Sequence, residues 1–563
     1  MTYRAPLGEY QFILNHVVPL APVAGTERFA EAQPDMVDAV LTEAARLCDE
    51  VLAPLNRAGD LTPARLENGV VRSSPGFKDG FRAIADGGWV ALAASPEFGG
   101  MGLPQAVNSV VGEMMAGACL SLQLNPLLTQ GQIEALDHHA SDEIKALYLP
   151  KLISGEWSGT MNLTEPQAGS DVGALRTKAE RNDDGTYAIT GQKIFITWGD
   201  CDFVQNVCHL VLARLPDGGE GTKGISLFMV PKFLPDGEGK PGPANSLKVV
   251  SLEHKLGIHG SPTCVMSYEG ATGWLVGEEH KGMAAMFTMM NAARLAVGMQ
   301  GVGVAEAAFQ KALAYANERQ QMGAIINHPD VRRMLSTMKA EVFAARAIGL
   351  VCAVALDMAR ATGSAEWQAR AALLTPIAKG YGTDAGCRVA ETGVQVHGGM
   401  GFIEETGAAQ LYRDVRITPI YEGTNGIQAM DLVGRKMSDG GEAAQRLLDE
   451  VEADAEAARS RLPDLAGAVW AAAEAQREAT EALVAQGMLD RFAGAAPYLH
   501  AFALVLGGHF HLRAALAEGG AGPRTTLAKI FITRLLPRHA ALLAEAREGS
   551  EDLYALSPED LAS

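Results

Sequence analysis

The sequence predicts an α+β chain with an N-terminal helical domain, a middle β domain, a C-terminal helical bundle and an extra helical domain beyond it. Apolar residues recur at helical spacing over 34–157 and again over 286–432. Between these stretches lie short β-branched runs separated by Gly, Asp and Pro clusters. After Gly440-Gly441 the composition turns Ala- and Glu-rich. The 563 residues suffice for several cores, and length alone suggests three or four structural units.

Residues 1–35 read as a Pro-containing, irregular extension with one apolar patch at 10–18. In the N-terminal helical domain, 36–157, Val37, Val40, Leu41, Ala44 and Leu47 repeat at three and four, the mark of one buried helix face. The run Gly99-Gly100-Met101-Gly102 then punctuates the chain before further helices through Leu147. Within the middle β domain, 158–282, strands are predicted at 187–190, 203–213, 225–231 and 265–268, as in a small barrel or sandwich. Helical segments long enough to pair as a bundle fill 283–440. In the C-terminal extension, 441–563, four helices are expected over 449–462, 464–487, 497–517 and 525–547, with Pro463 and Pro497 as boundaries. Gly298, Gly301 and Gly303 sit in a helical run with no strand before them. They read as close helix-packing positions, so a nicotinamide-binding βαβ unit is disfavoured.

Bulk composition excludes several classes. The chain is 48% hydrophobic and 20% charged, and 47 basic against 66 acidic residues give a net charge of −19. Nucleic acid selects basic stripes, so no nucleic-acid partner is expected. Seven cysteines without a CxxC pair read as buried thiols in a reducing compartment. The histidines, including His254, His259, His509 and His511, lack ligand partners at convincing spacing, so no metal is expected. The N-terminal residues lack a leader pattern, and no run appears long enough to span a bilayer; the apolar stretch at 292–309 is broken by Arg294 and Gln300. The acidic first helix of the extension also argues against a membrane surface. A cytoplasmic location follows as the expectation.

The most informative stretch is Ile420-Tyr421-Glu422-Gly423-Thr424-Asn425-Gly426-Ile427-Gln428. A lone carboxylate stands between an apolar, Pro419-led approach and a Gly/Thr/Asn turn that opens a helix. Apolar walls raise its pKa and a helix N-terminus lowers it, so its basicity is tunable. That suits a general base for a reluctant C–H proton. Read alone, the segment serves equally well as a turn glutamate that accepts backbone N–H bonds.

Further motifs precede it. Residues 161–172 run Met-Asn-Leu-Thr-Glu-Pro-Gln-Ala-Gly-Ser-Asp-Val, and 191–199 run Gly-Gln-Lys-Ile-Phe-Ile-Thr-Trp-Gly. Arg319-Gln320-Gln321-Met322-Gly323 and Gln395-Val396-His397-Gly398-Gly399-Met400-Gly401-Phe402 follow. In this order the blocks resemble those of the acyl-CoA dehydrogenase family of flavoenzymes, over about residues 40 to 440. The flanks are similar to those of the long bacterial branch that includes 3-methylmercaptopropionyl-CoA dehydrogenases.

The resemblance implies FAD held between a β domain and a helical bundle, its adenine end reaching a neighbouring subunit, hence at least a homodimer. It places Met161, Leu163, Thr164, Phe195 and Thr197 around the flavin, with Phe195 where many relatives have Trp and Met161 where some have Tyr. Arg319, Gln395, Gly398 and Gly399 match positions that hold the pyrophosphate and adenosine; Thr424 contacts the same cofactor, and Met322 replaces a usual Phe. Ser170, Arg294, Tyr421 and Gly423 match substrate-binding positions, with Asn291 where relatives often carry an acid. A second family location for the base, immediately before the arginine, is Ala293, so the resemblance leaves Glu422 as the base.

The implied reaction is α,β-dehydrogenation of an acyl-CoA, with electrons passing to an electron-transfer flavoprotein. An acyl-CoA oxidase, or a non-catalytic flavin-containing binding protein, are the alternatives. Acyl length stays open among methylthio-alkanoyl, straight-chain and aryl-substituted groups. The extension is expected to replace the second dimer pair of tetrameric relatives.

Overall fold

The computed structural model describes residues 2–563. The chain divides into two compact units: residues 1–45, 104–117 and 294–563 form one, and 46–103 with 118–293 form the other.

The second unit contains the β domain. Its strands are β1 (Arg65–Glu67), β2 (Val70–Arg72), β3 (Trp157–Asn162), β4 (Lys178–Arg181), β5 (Tyr187–Thr197), β6 (Asn206–Arg214), β7 (Ile225–Pro231), β8 (Phe233–Pro235), β9 (Pro241–Ala244), β10 (Leu247–Leu252) and β11 (Thr263–Val276). Pairing runs β11–β5–β4–β6–β7 and returns from β7 to β11, which closes a barrel; β3 and β10 flank it. Closure removes exposed edges. Alternating side chains such as Ile189, Val211, Phe228, Val230 and Tyr268 fill the interior. The sequence reading missed the β1–β2 hairpin, although its Asn68-Gly69 turn, with φ of 51° and 77°, is a strong hairpin signal.

The first unit is helical. Its long helices include Pro329–Thr362 and Ala365–His397, together with the C-terminal part of Gly282–Glu318. Glycines let backbones meet. A Cβ on Gly298 would lie 2.8 Å from the Ala378 carbonyl oxygen, and one on Gly301 2.5 Å from that of Gly382. The packing role read from sequence for these glycines holds, and Gly303 likewise abuts Glu113 and Gly117. The extension adds helices Glu442–Ala458, Pro463–Ala485, Met488–Ala493, Ala495–Ala517, Pro523–Ile530 and Arg538–Arg547, and two short ones at Glu551–Ala555 and Pro558–Ala562.

Two expectations are corrected. Residues 2–35, read as irregular, form helical segments at Leu7–Phe12, Ile13–Val17, Ala21–Ala24 and Glu27–Phe29. Tyr10, Ile13, Val17 and Val23 are fully buried, and the Tyr10 hydroxyl donates to Glu113 at 2.9 Å. Leu7–Phe12 runs directly into Ile13–Val17, and the buried residues Tyr10, Ile13, Leu14 and Val17 recur at three and four, a helical period that the sequence reading passed over. Second, the helix Pro329–Thr362 is long and apolar enough to pass a length-and-composition test for a membrane span. Nearly all of its apolar window is buried inside the protein.

Candidate active site

Glu422 projects from a strained turn. Its φ is +55° and that of Gly423 is +81°, two consecutive left-handed residues. This conformation is rare for a non-glycine side chain and persists only where the surroundings over-determine it. Thr424 caps the helix Asn425–Val433 by accepting the Ile427 N–H at 3.3 Å. The Asn425 N–H donates to the Pro419 carbonyl at 3.0 Å, and Gln428 Nε2 donates to the Glu422 carbonyl at 3.2 Å. A Cβ on Gly423 would come within 2.7 Å of Gln428 Nε2, so glycine is required by space as well as by φ.

Lys379 locks the turn from the neighbouring helix. Its Nζ donates to the Gly423 carbonyl at 2.8 Å and to Asn425 Oδ1 at 2.9 Å. Asn425 Nδ2 in turn donates to the Gly380 carbonyl and to Thr383 Oγ1, at 3.2 and 3.0 Å. Tyr421 donates its hydroxyl hydrogen to Gln300 Oε1. The sequence reading missed Lys379, Asn425, Gln428 and Gln300 as site residues. For Lys379 a signal existed: it is the only charged residue in the otherwise apolar stretch 371–381.

The electrostatics suit a base. Glu422 Oε2 is buried and has no hydrogen-bond partner among the described residues. Burial pushes the carboxyl up to about 7, and the positive charges of Arg294 and Lys379 pull only partly the other way. Burial lowers Lys379 to about 8 against the pull of Glu422 and Asp384. Arg294 pairs with Asp431 at 3.5 Å, and Asp431 also holds Arg435 at 2.7 Å. Glu422, Arg294, Tyr421, Gly423 and Thr424, singled out in the sequence, thus lie in one helical unit.

The β-domain positions gather separately. The Ile194 N–H donates to the Thr164 carbonyl at 2.9 Å, tying the loop after β3 to β5. Lys193, fully buried, donates to the Leu163 carbonyl at 3.0 Å and pairs with Glu165 at 2.8 Å. Burial would raise Glu165, but Lys193 and the Thr177 hydroxyl hold it down at about 2. A bulge opposite Val265 lies beside this anchor, between Lys193 and Ile196. There Phe195 adopts φ +60° and turns outward, 58% exposed; bulges re-aim side chains in this way. Met161, Thr164 and Thr197 are half-buried and Leu163 is buried. Ser170 lies exposed in the loop between β3 and β4.

Arg319, Met322, Gln395, Gly398 and Gly399 cluster at two helix ends joined by the stacked rings of Tyr315 and His397, 4.4 Å apart. All five are exposed, Met322 at 97%, and Phe402 beside them at 89%. A Cβ on Gly398 or Gly399 would meet nothing within 4 Å. Apolar bulk beside half-buried hydroxyls suits a flavin ring edge. An exposed arginine beside open glycine backbone suits a pyrophosphate. These residues therefore fit FAD.

The fold also brings partners to His509 that the sequence spacing did not show: Glu450, Asp454 and His509 converge, with His509 Nε2 2.7 Å from Asp454. Arg370 holds Glu450 at 2.6 Å and Arg513 flanks both carboxylates, so the group reads as an ion-pair network.

Comparison with known proteins bears on the family and the fold. Models of the acyl-CoA dehydrogenase N-terminal, middle and C-terminal domains match residues 35–156, 160–271 and 280–438. An acetyl-CoA dehydrogenase C-terminal-like model matches 447–557. The chain is 50% identical over 467 residues to 3-methylmercaptopropionyl-CoA dehydrogenase of Ruegeria pomeroyi, covering 80% of this chain and 79% of that one. Among solved structures, butyryl-CoA dehydrogenase from Megasphaera elsdenii is 27% identical at a TM-score of 0.61, covering 71% of this chain and 98% of that one. An acyl-CoA dehydrogenase from Bacillus anthracis complexed with FAD superposes with a TM-score of 0.77 at 22% identity, covering 94% and 90%. The chain belongs to the acyl-CoA dehydrogenase family.

Proposed function

We propose that this protein oxidises the Cα–Cβ bond of an acyl-CoA thioester to the trans-2-enoyl-CoA, with Glu422 as the base that removes the α-proton. The observation that carries this is the Glu422 carboxylate itself. It is buried, left unbonded at Oε2 and poised near neutrality on a turn that its neighbours fix. Bound FAD supplies the acceptor for the β-hydride. Met161, Leu163, Thr164, Phe195, Thr197, Arg319, Met322, Gln395, Gly398, Gly399 and Thr424 would hold the cofactor. Ser170, Arg294, Tyr421 and Gly423 serve the substrate. The α-proton is weakly acidic, so the developing enolate needs a donor at the thioester oxygen, and the Glu422 backbone N–H is suited to that role. Exclusion of water by the acyl chain raises the affinity of Glu422 for the proton further.

The substrate class favoured is a short acyl-CoA such as 3-methylmercaptopropionyl-CoA, supported by the name of the 50%-identical relative. We assign electron-transfer flavoprotein as the electron acceptor and a homodimer as the working form. Support for the dimer comes from the exposed apolar residues Met322, Met400, Phe402 and Ile403 beside Arg319 and Gln395.

Anaerobic titration of the yellow protein with a panel of acyl-CoAs tests the reading. One member should bleach the flavin band in the wild type and fail to do so in Glu422→Gln with FAD still bound. Fast bleaching by that variant would refute the base assignment. Peroxide release during turnover would point to an oxidase instead.

A further inference from the structure

We propose that the C-terminal extension positions the catalytic turn, through Leu499 seated on Gly380. The argument rests on the reading of Glu422 as the base.

The turn that bears Glu422 hangs from one short segment of the Ala365–His397 helix. Lys379 holds the Gly423 carbonyl and Asn425 Oδ1, and the Gly380 carbonyl receives Asn425 Nδ2. Whatever fixes the backbone at 379–380 therefore fixes the base. The opposite side of that backbone is covered by the helix Ala495–Ala517 of the extension. A Cβ on Gly380 would lie 3.0 and 3.1 Å from the two methyl carbons of Leu499, which is itself buried. The glycine is a notch and the leucine fills it.

The adjacent residues, and Asp384 one turn on, reinforce the contact. The ring of Tyr381, fully buried, meets that of His500 edge-on at 6.5 Å, and His500 Nε2 lies 3.0 Å from Asp384.

The extension also braces the other end of the base-bearing helix Asn425–Val433. Arg491 Nη1 donates to the Val433 carbonyl at 3.4 Å, and its remaining donors reach the Gln486 and Val484 carbonyls. Gly434, just past the helix, packs on Phe492 and Met488; a Cβ there would lie 3.3 Å from the Phe492 ring. Helix start and helix end are thus both referred to residues 488–500. A segment that merely covered surface would not converge on the Val433 carbonyl and on two glycines, Gly380 and Gly434, that flank the turn and its helix. Interiors close-packed in this way transmit small shifts, and a base misplaced by about 1 Å loses up to roughly a hundredfold in rate.

The test uses the full-length, FAD-loaded protein and reads flavin bleaching by a saturating acyl-CoA across pH. Leu499→Ala should slow bleaching by roughly tenfold, with flavin content unchanged. Its acidic limb should move to higher pH, because Lys379 is no longer held against the turn. The titratable groups around Glu422 are Arg294, Lys379 and Tyr421, with Asp384, Asp431 and Arg435 behind them; of these Lys379 adjoins the notch that Leu499 fills, and Asp384, one turn on, stays held by His500. Leu499→Met should behave as wild type. Adding Gly380→Ala to Leu499→Ala should recover most of the rate, since the new methyl refills the notch.

If Leu499→Ala does not fold, Leu499→Val gives the same readings at smaller amplitude. A variant that loses melting temperature but keeps wild-type rate and pH profile overturns the proposal. So does a double variant that regains stability but not rate. Glu422→Gln, measured alongside, separates the two failures: bleaching by it refutes the base assignment, whereas an inert Glu422→Gln with an unperturbed Leu499→Ala refutes only the positioning role.

Discussion

Replacing Glu422 by Gln should stabilise the protein at high pH and hardly at all at low pH. The carboxyl is pushed from an ordinary 4.5 to about 7, chiefly by burial. Between those values the folded state keeps a proton that the unfolded state has released. The native state is therefore favoured at low pH, and this advantage is lost as pH rises through the window from 4.5 to about 7. Above it the buried carboxylate is ionised at a cost of about 3 kcal/mol, the displacement of roughly two and a half units at 1.36 kcal/mol each. Glutamine keeps the shape and never ionises.

In thermal melts the variant should match wild type near pH 5 and exceed it by about 3–6 °C at pH 8.5, given roughly 1–2 °C per kcal/mol for a cooperative unit of several hundred residues. The rate of flavin bleaching in the wild type at limiting acyl-CoA, which reports the free enzyme, should rise with pH through about 7 and level off, because only the ionised carboxylate accepts the α-proton. A gap in melting temperature that is the same at both pH values would refute the assignment of a buried, proton-retaining carboxyl.

Three other perturbations have defined outcomes. Lys379→Met removes both bonds to the turn and one of the two charges that ease ionisation of Glu422. Bleaching should slow by about ten- to a hundredfold and its acidic limb should move upward, with FAD retained; an unchanged pH profile counts against the role given to Lys379. Lys193→Met removes the cation paired with Glu165, leaving it the Thr177 hydroxyl and two backbone N–H donors, and unpins the Thr164 loop, so a cost of about 1–3 kcal/mol is expected together with flavin loss, read as the absorbance ratio of the purified protein. Asp357 caps the helix Gln105–His139 by accepting the N–H groups of Gln105 and Ala106 at 2.6 and 2.9 Å. Asp357→Ala should therefore cost about 1–3 kcal/mol in a melt, with the bleaching rate per bound flavin unchanged.

What the sequence made legible follows from the range of the interactions involved. Four of the five barrel strands were visible because short β-branched or apolar runs are local, whereas β4 was missed; the Gly/Thr/Asn turn was legible as a helix start, and Gly298 and Gly301 as packing glycines. The turns at 21–24 and 27–29 were not, because each is too short to show a period; the stretch 7–17 does carry one, at Tyr10, Ile13, Leu14 and Val17, but Tyr10 is ordered by Glu113, over a hundred residues away. The bulge that turns Phe195 outward left no mark, since a Lys-Ile-Phe-Ile run looks like an unbroken strand. Lys379 was overlooked for a related reason: a single lysine in an apolar helix gains meaning only when the turn it supports is known.

The division of labour around Glu422 explains why the site does not quench its own base. Two cations lie close enough to favour ionisation, and a direct pair with either would hold the carboxyl well below neutrality and make it a poor proton acceptor. Neither bonds Glu422 Oε2. Lys379 commits its donors to Gly423 and Asn425, and Arg294 pairs with Asp431, which is also held by Arg435. The positive charge is thereby felt through space without being neutralised in contact, and burial keeps the upper hand at about 7. The same bonds that withhold the cations from the base are those that fix the turn. Orientation and basicity at Glu422 are consequently set by one network, and a variant that loosens Lys379 should disturb both together.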